Sequence, residues 1–150
     1  MLIGKMCSRE VICCDADTTA LEAATLMRRA HVGDLVVVSE NALGVRTPVG
    51  MVTDRDLVVE VMAQQVDPAG IKVGEFIGSD CLSVRDNATV FQAVEMMQKT
   101  GVRRLPVVDE SNALVGIVAS DDLMSLMGKQ LSHLAQVGLR QRDYESRTRA

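Results

Sequence analysis

The chain has no tryptophan, one tyrosine and two phenylalanines, so aromatic residues make up 2% of its 150 residues. Proteins that hold single-stranded nucleic acid stack the bases on aromatic side chains, and here there is almost nothing to stack on. A formal net charge of −4 adds repulsion toward any polyanion, which argues against nucleic acid as a partner. Histidine is as scarce: His31 and His133 stand alone. The four cysteines, Cys7, Cys13, Cys14 and Cys81, show no CxxC spacing, and adjacent strand residues such as Cys13 and Cys14 point to opposite faces. Buried reduced thiols are expected, and no metal site. Two isolated histidines and no nucleophile elbow leave no catalytic set to assemble, so an enzyme is not expected. No hydrophobic run approaches the roughly 20 residues of a membrane span, and the opening MLIGKMCSRE lacks the apolar stretch of a signal peptide. The expectation is a cytoplasmic protein without a membrane partner.

What the chain does have is aliphatic mass. Hydrophobic residues are 47% of the sequence, nine of them methionine, enough to bury an ordinary core. The charge is unevenly placed. Residues 129–150 carry five Lys or Arg against two Asp or Glu, net +3, which leaves −7 on residues 1–128. A basic tail follows an acidic body.

The sequence also repeats itself. A shift of 70 residues lays Ile3-Gly4-Lys5-Met6 on Val73-Gly74-Glu75-Phe76, and ALEAATLMRRAHVGDLVVV on VFQAVEMMQKTGVRRLPVV. After a longer loop in the first copy, a shift of 66 lays PVGMVTDRDL on LVGIVASDDL. Each copy spells the same order of elements. Short β-prone runs, Val11 to Cys14 and Cys81 to Val84, lead into helices that start at Thr19 and Thr89. Glu22 and Gln92 three residues on complete capping-box signatures. Leu21, Ala24 and Met27, and Phe91, Val94 and Met97, recur at helical spacing as candidate buried faces. Leu35 to Val38 and Leu105 to Val108 read as buried strands. Hairpin partners follow at Val49 to Val52 and Leu114 to Val118 and run straight into second helices, expected to bury Leu57, Val58, Val61 and Met62, and Leu123, Met124, Leu126 and Met127. About 50 residues of strand, helix, strand, strand, helix are too few to cover a three-stranded sheet alone, so the two copies are expected to pack together. The divisions are a first unit over 1–62 including its lead-in, a linker over 63–70 whose Pro68 and Gly70 stop the helix, a second unit over 71–128, and a basic tail over 129–150. Leu131, Leu134, Ala135 and Leu139 give that tail a modest helical stripe, expected to pack on the module or on a dimer mate and to fray beyond Arg142.

Two copies of this order, together with GMVTDRD and GVRRLPVVD, resemble a CBS-domain pair, or Bateman module, over residues 3–128. The chain is similar to small stand-alone bacterial CBS proteins. The resemblance implies an α/β (α+β) fold of two tandem motifs related by a pseudo-two-fold axis. Each motif would be a small three-stranded sheet with two helices, here with a C-terminal helix added. It also implies ligand clefts between the motifs and assembly as a homodimer.

The doubled stretch has two readings. Thr53 followed by Asp56 is a good helix cap in its own right. Equally, Asp56 offers two acceptor oxygens to the neighbouring hydroxyls of a ribose, and Gly50 removes bulk where backbone would approach a cleft. The resemblance implies that Asp56 and Thr53 take the ribose and phosphate roles of adenosyl-binding CBS proteins, with Asp122 as the second ribose-type carboxylate. Ala119 stands where Thr53 does, and Ser120 is a substitute cap. Arg103 and Arg104, just before the Leu105-Pro106 strand, match phosphate-contacting positions, whereas the first copy has Asp34, which would repel phosphate. An adenine would sit among aliphatic side chains near Cys14 and Val84. Thr53 and Asp56 are thus expected to hold ribose, and Asp122 with Arg103 and Arg104 to hold phosphate, although the arginines could also reach a ligand of the first copy. AMP, ATP, NAD or S-adenosylmethionine is the ligand class implied, with an unidentified regulated protein as the recipient of the signal. The other reading is a structural or interaction protein with no ligand, which dimerises and recruits a protein or nucleic-acid partner.

Overall fold

The computed structural model describes residues 1–149. β1 (Cys13–Cys14) lies parallel to β2 (Asp34–Glu40), which pairs antiparallel with β3 (Arg46–Thr53). β4 (Val84–Arg85), β5 (Arg104–Val108) and β6 (Leu114–Ala119) repeat that order, so the fold is two three-stranded sheets. Parallel neighbours need a crossover, and the crossovers are α1 (Ala20–Ala30) and α3 (Val90–Thr100). Both helices open with the expected capping boxes, Thr19 with Glu22 and Thr89 with Gln92.

Met27 and Met97 are buried as expected, but the other two positions of each helical face lie one residue earlier than expected. Ala20, Ala23 and Met27, and Val90, Ala93 and Met97, are buried, while Leu21 and Phe91 stand 50% and 78% exposed. Beyond β3 the chain forms α2 (Asp54–Asp56), which widens into a π-helix over Leu57–Met62. The wider turn brings Val61 into the core but leaves Val58 and Met62 exposed, contrary to expectation. Beyond β6 the chain continues as α4 (Ser120–Thr148), one helix of 29 residues that runs through Gly128 and past Arg142 without fraying. Leu123 is its buried residue, and Met124 is exposed.

The two repeats exchange their lead-in segments. Ile3, fully buried, belongs to the core of the second repeat with Val84, Ala93, Leu105 and Val118. Val73, also fully buried, belongs to the core of the first with Ala23, Leu35, Val37 and Val52. The hydrogen bonds are reciprocal. Ile3 N–H donates to Ala88 O and Gly4 N–H to Asp86 O, while Val73 N–H donates to Thr18 O and Gly74 N–H to Ala16 O. The 70-residue shift maps each pair onto the other, which is the pseudo-two-fold axis in hydrogen bonds.

Gly50 and Gly116 serve this exchange rather than a cleft. A Cβ on Gly50 would come within 2.7 Å of Ile77 Cδ1, and one on Gly116 within 2.7 Å of Ser8 O and 2.6 Å of Cys7 Sγ. Each glycine lets the other repeat's lead-in cross its strand, and next to Gly116 the residues Ser8 and Ile117 exchange two backbone hydrogen bonds of 2.9 Å.

Gly116→Ala is therefore expected to lose about 1–3 kcal/mol by overpacking. Gly128→Ala, at an exposed helical site where a Cβ meets nothing within 4 Å, is expected to gain roughly 0.5–1 kcal/mol. Urea unfolding of the two variants, shifting in opposite directions, checks both statements.

Candidate functional site

Where β2 and β5 begin, the repeats meet. Asp34 and Arg104 occupy equivalent positions in the two copies, and their side chains form an ion pair. Equivalent residues that touch lie on the pseudo-two-fold axis, so this pair necessarily borders both inter-repeat clefts. Cleft A, a cavity of about 670 Å³, is lined by Thr53, Asp54, Arg55 and Asp56 of the first repeat and by Arg103 and Arg104 of the second, with Asp34 at the axis. Cleft B, about 310 Å³, is lined by Ala119, Asp121 and Asp122 of the second repeat, by Glu10, Val11, Ile12 and His31 of the first, and again by Asp34 and Arg104.

In cleft A the capping geometry is complete. Thr53 N–H and Thr53 Oγ1 donate to Asp56 Oδ2 at 2.8 and 3.0 Å, and Asp56 N–H donates to Thr53 Oγ1 at 3.2 Å. Asp56 Oδ2 is thus engaged by its own helix start, which leaves Oδ1 as the oxygen with no such role. Arg103 and Arg104 stand opposite, from the other repeat. The expected grouping of the arginines with Asp122 divides accordingly: Arg103 joins Thr53 and Asp56, Asp122 lies in cleft B, and Arg104 borders both.

The helix start at cleft B is built differently. Ala119 is its N-cap and supplies no side-chain acceptor. Ser120 does not replace it: its N–H donates to Arg103 O at 2.8 Å, and its hydroxyl reaches only Asp121 Oδ1 at 3.5 Å. The first α4 amides are left without a side-chain cap. Cys14 and Val84 are buried in the two cores and line neither cleft, because side chains alternate along a strand and these two face inward. Val11 and Ile12, just upstream, are the apolar lining of cleft B. Burial pushes the Cys14 thiol up to about 11, with Asp15 and Cys13 adding to it, in keeping with a packed, unreactive cysteine.

Neither arginine is free. Arg103 pairs with Asp121 at 3.1 Å, both side chains well exposed, a contact worth little in water. Arg104 pairs with Asp34, whose side chain is 9% exposed. Arg104 Nη1 meets the buried Asp34 Oδ2 itself. Burial raises the Asp34 carboxyl above the usual carboxylate range, Arg104 opposes that rise, and Asp54 adds to it. No group of three or more His, Cys, Asp or Glu suited to a metal occurs among the described residues, and none of their helices is long and apolar enough to cross a membrane.

Comparison with protein families matches residues 3–63 and 73–129 to the CBS domain. The chain belongs to the CBS-domain family. It is 39% identical to the CBS domain-containing protein YhcV of Bacillus subtilis over 105 residues, 70% of each chain. It is 33% identical to an uncharacterized protein of Methanopyrus kandleri over 124 residues, 83% of this chain but 61% of that longer protein. Its fold matches a CBS domain pair solved in complex with 5-methylthioadenosine and S-adenosyl-L-methionine, with a TM-score of 0.73 and 23% identity over 87% of this chain and 98% of that one. The expected architecture of two tandem CBS motifs with a C-terminal helix is thus the observed one, and CBS pairs are regulatory units in general.

Sequence reading missed His31, Glu10 and the axial role of Asp34. His31 closes α1 in a left-handed conformation, φ 55°, where the second copy has Gly101 at φ 70°, a difference already visible in the aligned repeats.

A carboxyl whose folded pKa lies above its unfolded value favours folding at low pH, and that contribution is lost as pH rises through the folded value. Asp34→Asn, which cannot ionise, is expected to raise the melting temperature at pH 7.5, with the gain shrinking toward zero as pH falls to about 4, near the ordinary Asp value. Thermal melts across this range test it, and a variant less stable by the same margin at every pH would contradict it.

Proposed function

We propose that this CBS pair is a non-catalytic regulatory module that binds an adenine nucleotide or adenosyl compound of the AMP, ATP, NAD or S-adenosylmethionine class in cleft A. The observation that carries this reading is the assembly, across the repeat boundary, of Thr53 and Asp56 with Arg103 and Arg104. A carboxylate oxygen at a helix start accepts from ribose hydroxyls. Two guanidiniums within the same cavity offer forked donors to a phosphate, which competes with the carboxylates that hold them. Aliphatic walls such as Met51 and Val102 bracket an adenine without aromatic stacking. Occupancy would draw together residues of both repeats, and that movement is the signal a partner protein reads.

The module acts as a homodimer in this reading. The support is apolar surface: Phe91, Leu131 and Leu134 are 78%, 67% and 68% exposed and share a groove with Met1, Val90, Leu126 and Met127. Patches of this kind on otherwise well-packed chains are association surfaces. The same groove favours the second reading, an interaction protein whose clefts carry no ligand.

Freshly purified protein, nearly transparent at 280 nm because it has no tryptophan and one tyrosine, is expected to show a nucleotide band near 260 nm. Isothermal titration with AMP is expected to give binding that Arg103→Ala weakens roughly 10-fold or more, the loss of a charge-assisted contact of about 1.5–3 kcal/mol. Asp56→Asn, which keeps an acceptor for the cap, is expected to weaken it similarly. Unchanged AMP affinity in both variants would overturn cleft A as the site, and no binding of any of the four compounds would leave only the interaction reading.

A further inference from the structure

The two clefts do not have the same charge, and the difference centres on one residue. Cleft B is bordered by four carboxylates, Glu10, Asp34, Asp121 and Asp122, with Arg104 as its one arginine. Cleft A has Arg55, Arg103 and Arg104 against Asp34, Asp54 and Asp56. Of the two ion pairs of the region, Arg103–Asp121 is divided between the clefts and Arg104–Asp34 borders both. Arg103 borders cleft A while its partner Asp121 borders cleft B, and Arg104, on the axis, is the cation common to both.

We infer that the clefts take unlike ligands. Cleft A takes the phosphate-bearing adenosine compound, and cleft B takes an adenosine compound without phosphate, uncharged or cationic, with Arg104 enforcing the difference. This rests on the nucleoside reading above and extends it to a second site.

The geometry allows one phosphate per chain. A single guanidinium cannot neutralise an anion on each side of the axis, and its counter-ion Asp34 is itself nine-tenths buried. A phosphate in cleft A draws Arg104 off Asp34 and Arg103 off Asp121. That leaves Asp121 unneutralised on cleft B and Asp34 unneutralised on the axis, beside Glu10 and Asp122, where like charge repels an anion at short range and opposite charge is attracted. Cleft B still offers what a nucleoside needs: Asp122 as acceptor for ribose hydroxyls and the apolar Val11 and Ile12. Filling A with a nucleotide therefore leaves B receptive to a neutral or cationic nucleoside while closing it to a second phosphate.

Isothermal titration of the full chain with AMP and with adenosine tests this. AMP is expected to saturate at one per chain. Adenosine is expected to add one further equivalent to the AMP-saturated protein, no more weakly than its second equivalent binds without AMP. In a Glu10→Gln, Asp121→Asn double variant, both changes being at exposed positions, a second AMP is expected to bind at least tenfold more tightly than to the unaltered chain. Two equivalent AMP sites in the unaltered protein, exclusion of adenosine by AMP, or a double variant with no tighter second AMP would each overturn the unlike-ligand inference and leave the single-cleft reading standing. Failure of every adenosine compound to bind at all would remove both.

Discussion

The structure depends on an exchange: neither repeat closes its own core. Ile3 completes the second repeat and Val73 the first, and Gly50 and Gly116 are the narrow points at which each visiting segment crosses its host's strand. Burying a branched aliphatic side chain contributes roughly 1.5–3 kcal/mol, and here that contribution is available only when both repeats are present and correctly opposed. The clefts follow from the same constraint, because they are the spaces left between two units held at a fixed relation.

At the axis of that relation a symmetric pair would set a residue against its own copy. Two arginines there would repel, and so would two aspartates. The chain places Asp34 against Arg104 instead, which replaces repulsion with attraction and in the same stroke makes the two clefts different. Gly33 in one copy and Arg103 in the other extend the difference outward, since Arg103 reaches Asp121 while Gly33 has no side chain to offer Arg55.

Much of the fold was open to reading from the sequence. The capping boxes at Thr19 and Thr89, the β-branched runs and the internal repeat are local signals, and local signals survive in a linear string. The exchange was not readable, because a repeat alignment shows that Ile3 corresponds to Val73 without showing which core each enters. Gly50 was read as clearance for a cleft for the same reason: a glycine records that something passes close by, not what passes. Asp34 was read as an acid that would repel phosphate within its own repeat, whereas its decisive neighbour lies 70 positions away. Thr53 and Asp56 carried both of their possible meanings in the sequence. The geometry realises the cap through one carboxylate oxygen and leaves the other outside it.

The unbroken length of α4 has a mechanical consequence. Its first turn borders cleft B, its middle carries the exposed leucines, and it ends at Thr148. At about 1.5 Å per residue it is a rod of roughly 43 Å, so a tilt of about five degrees at the cleft displaces its far end by about 4 Å. The residues at the far end of such a rod therefore move much farther than those beside the cleft.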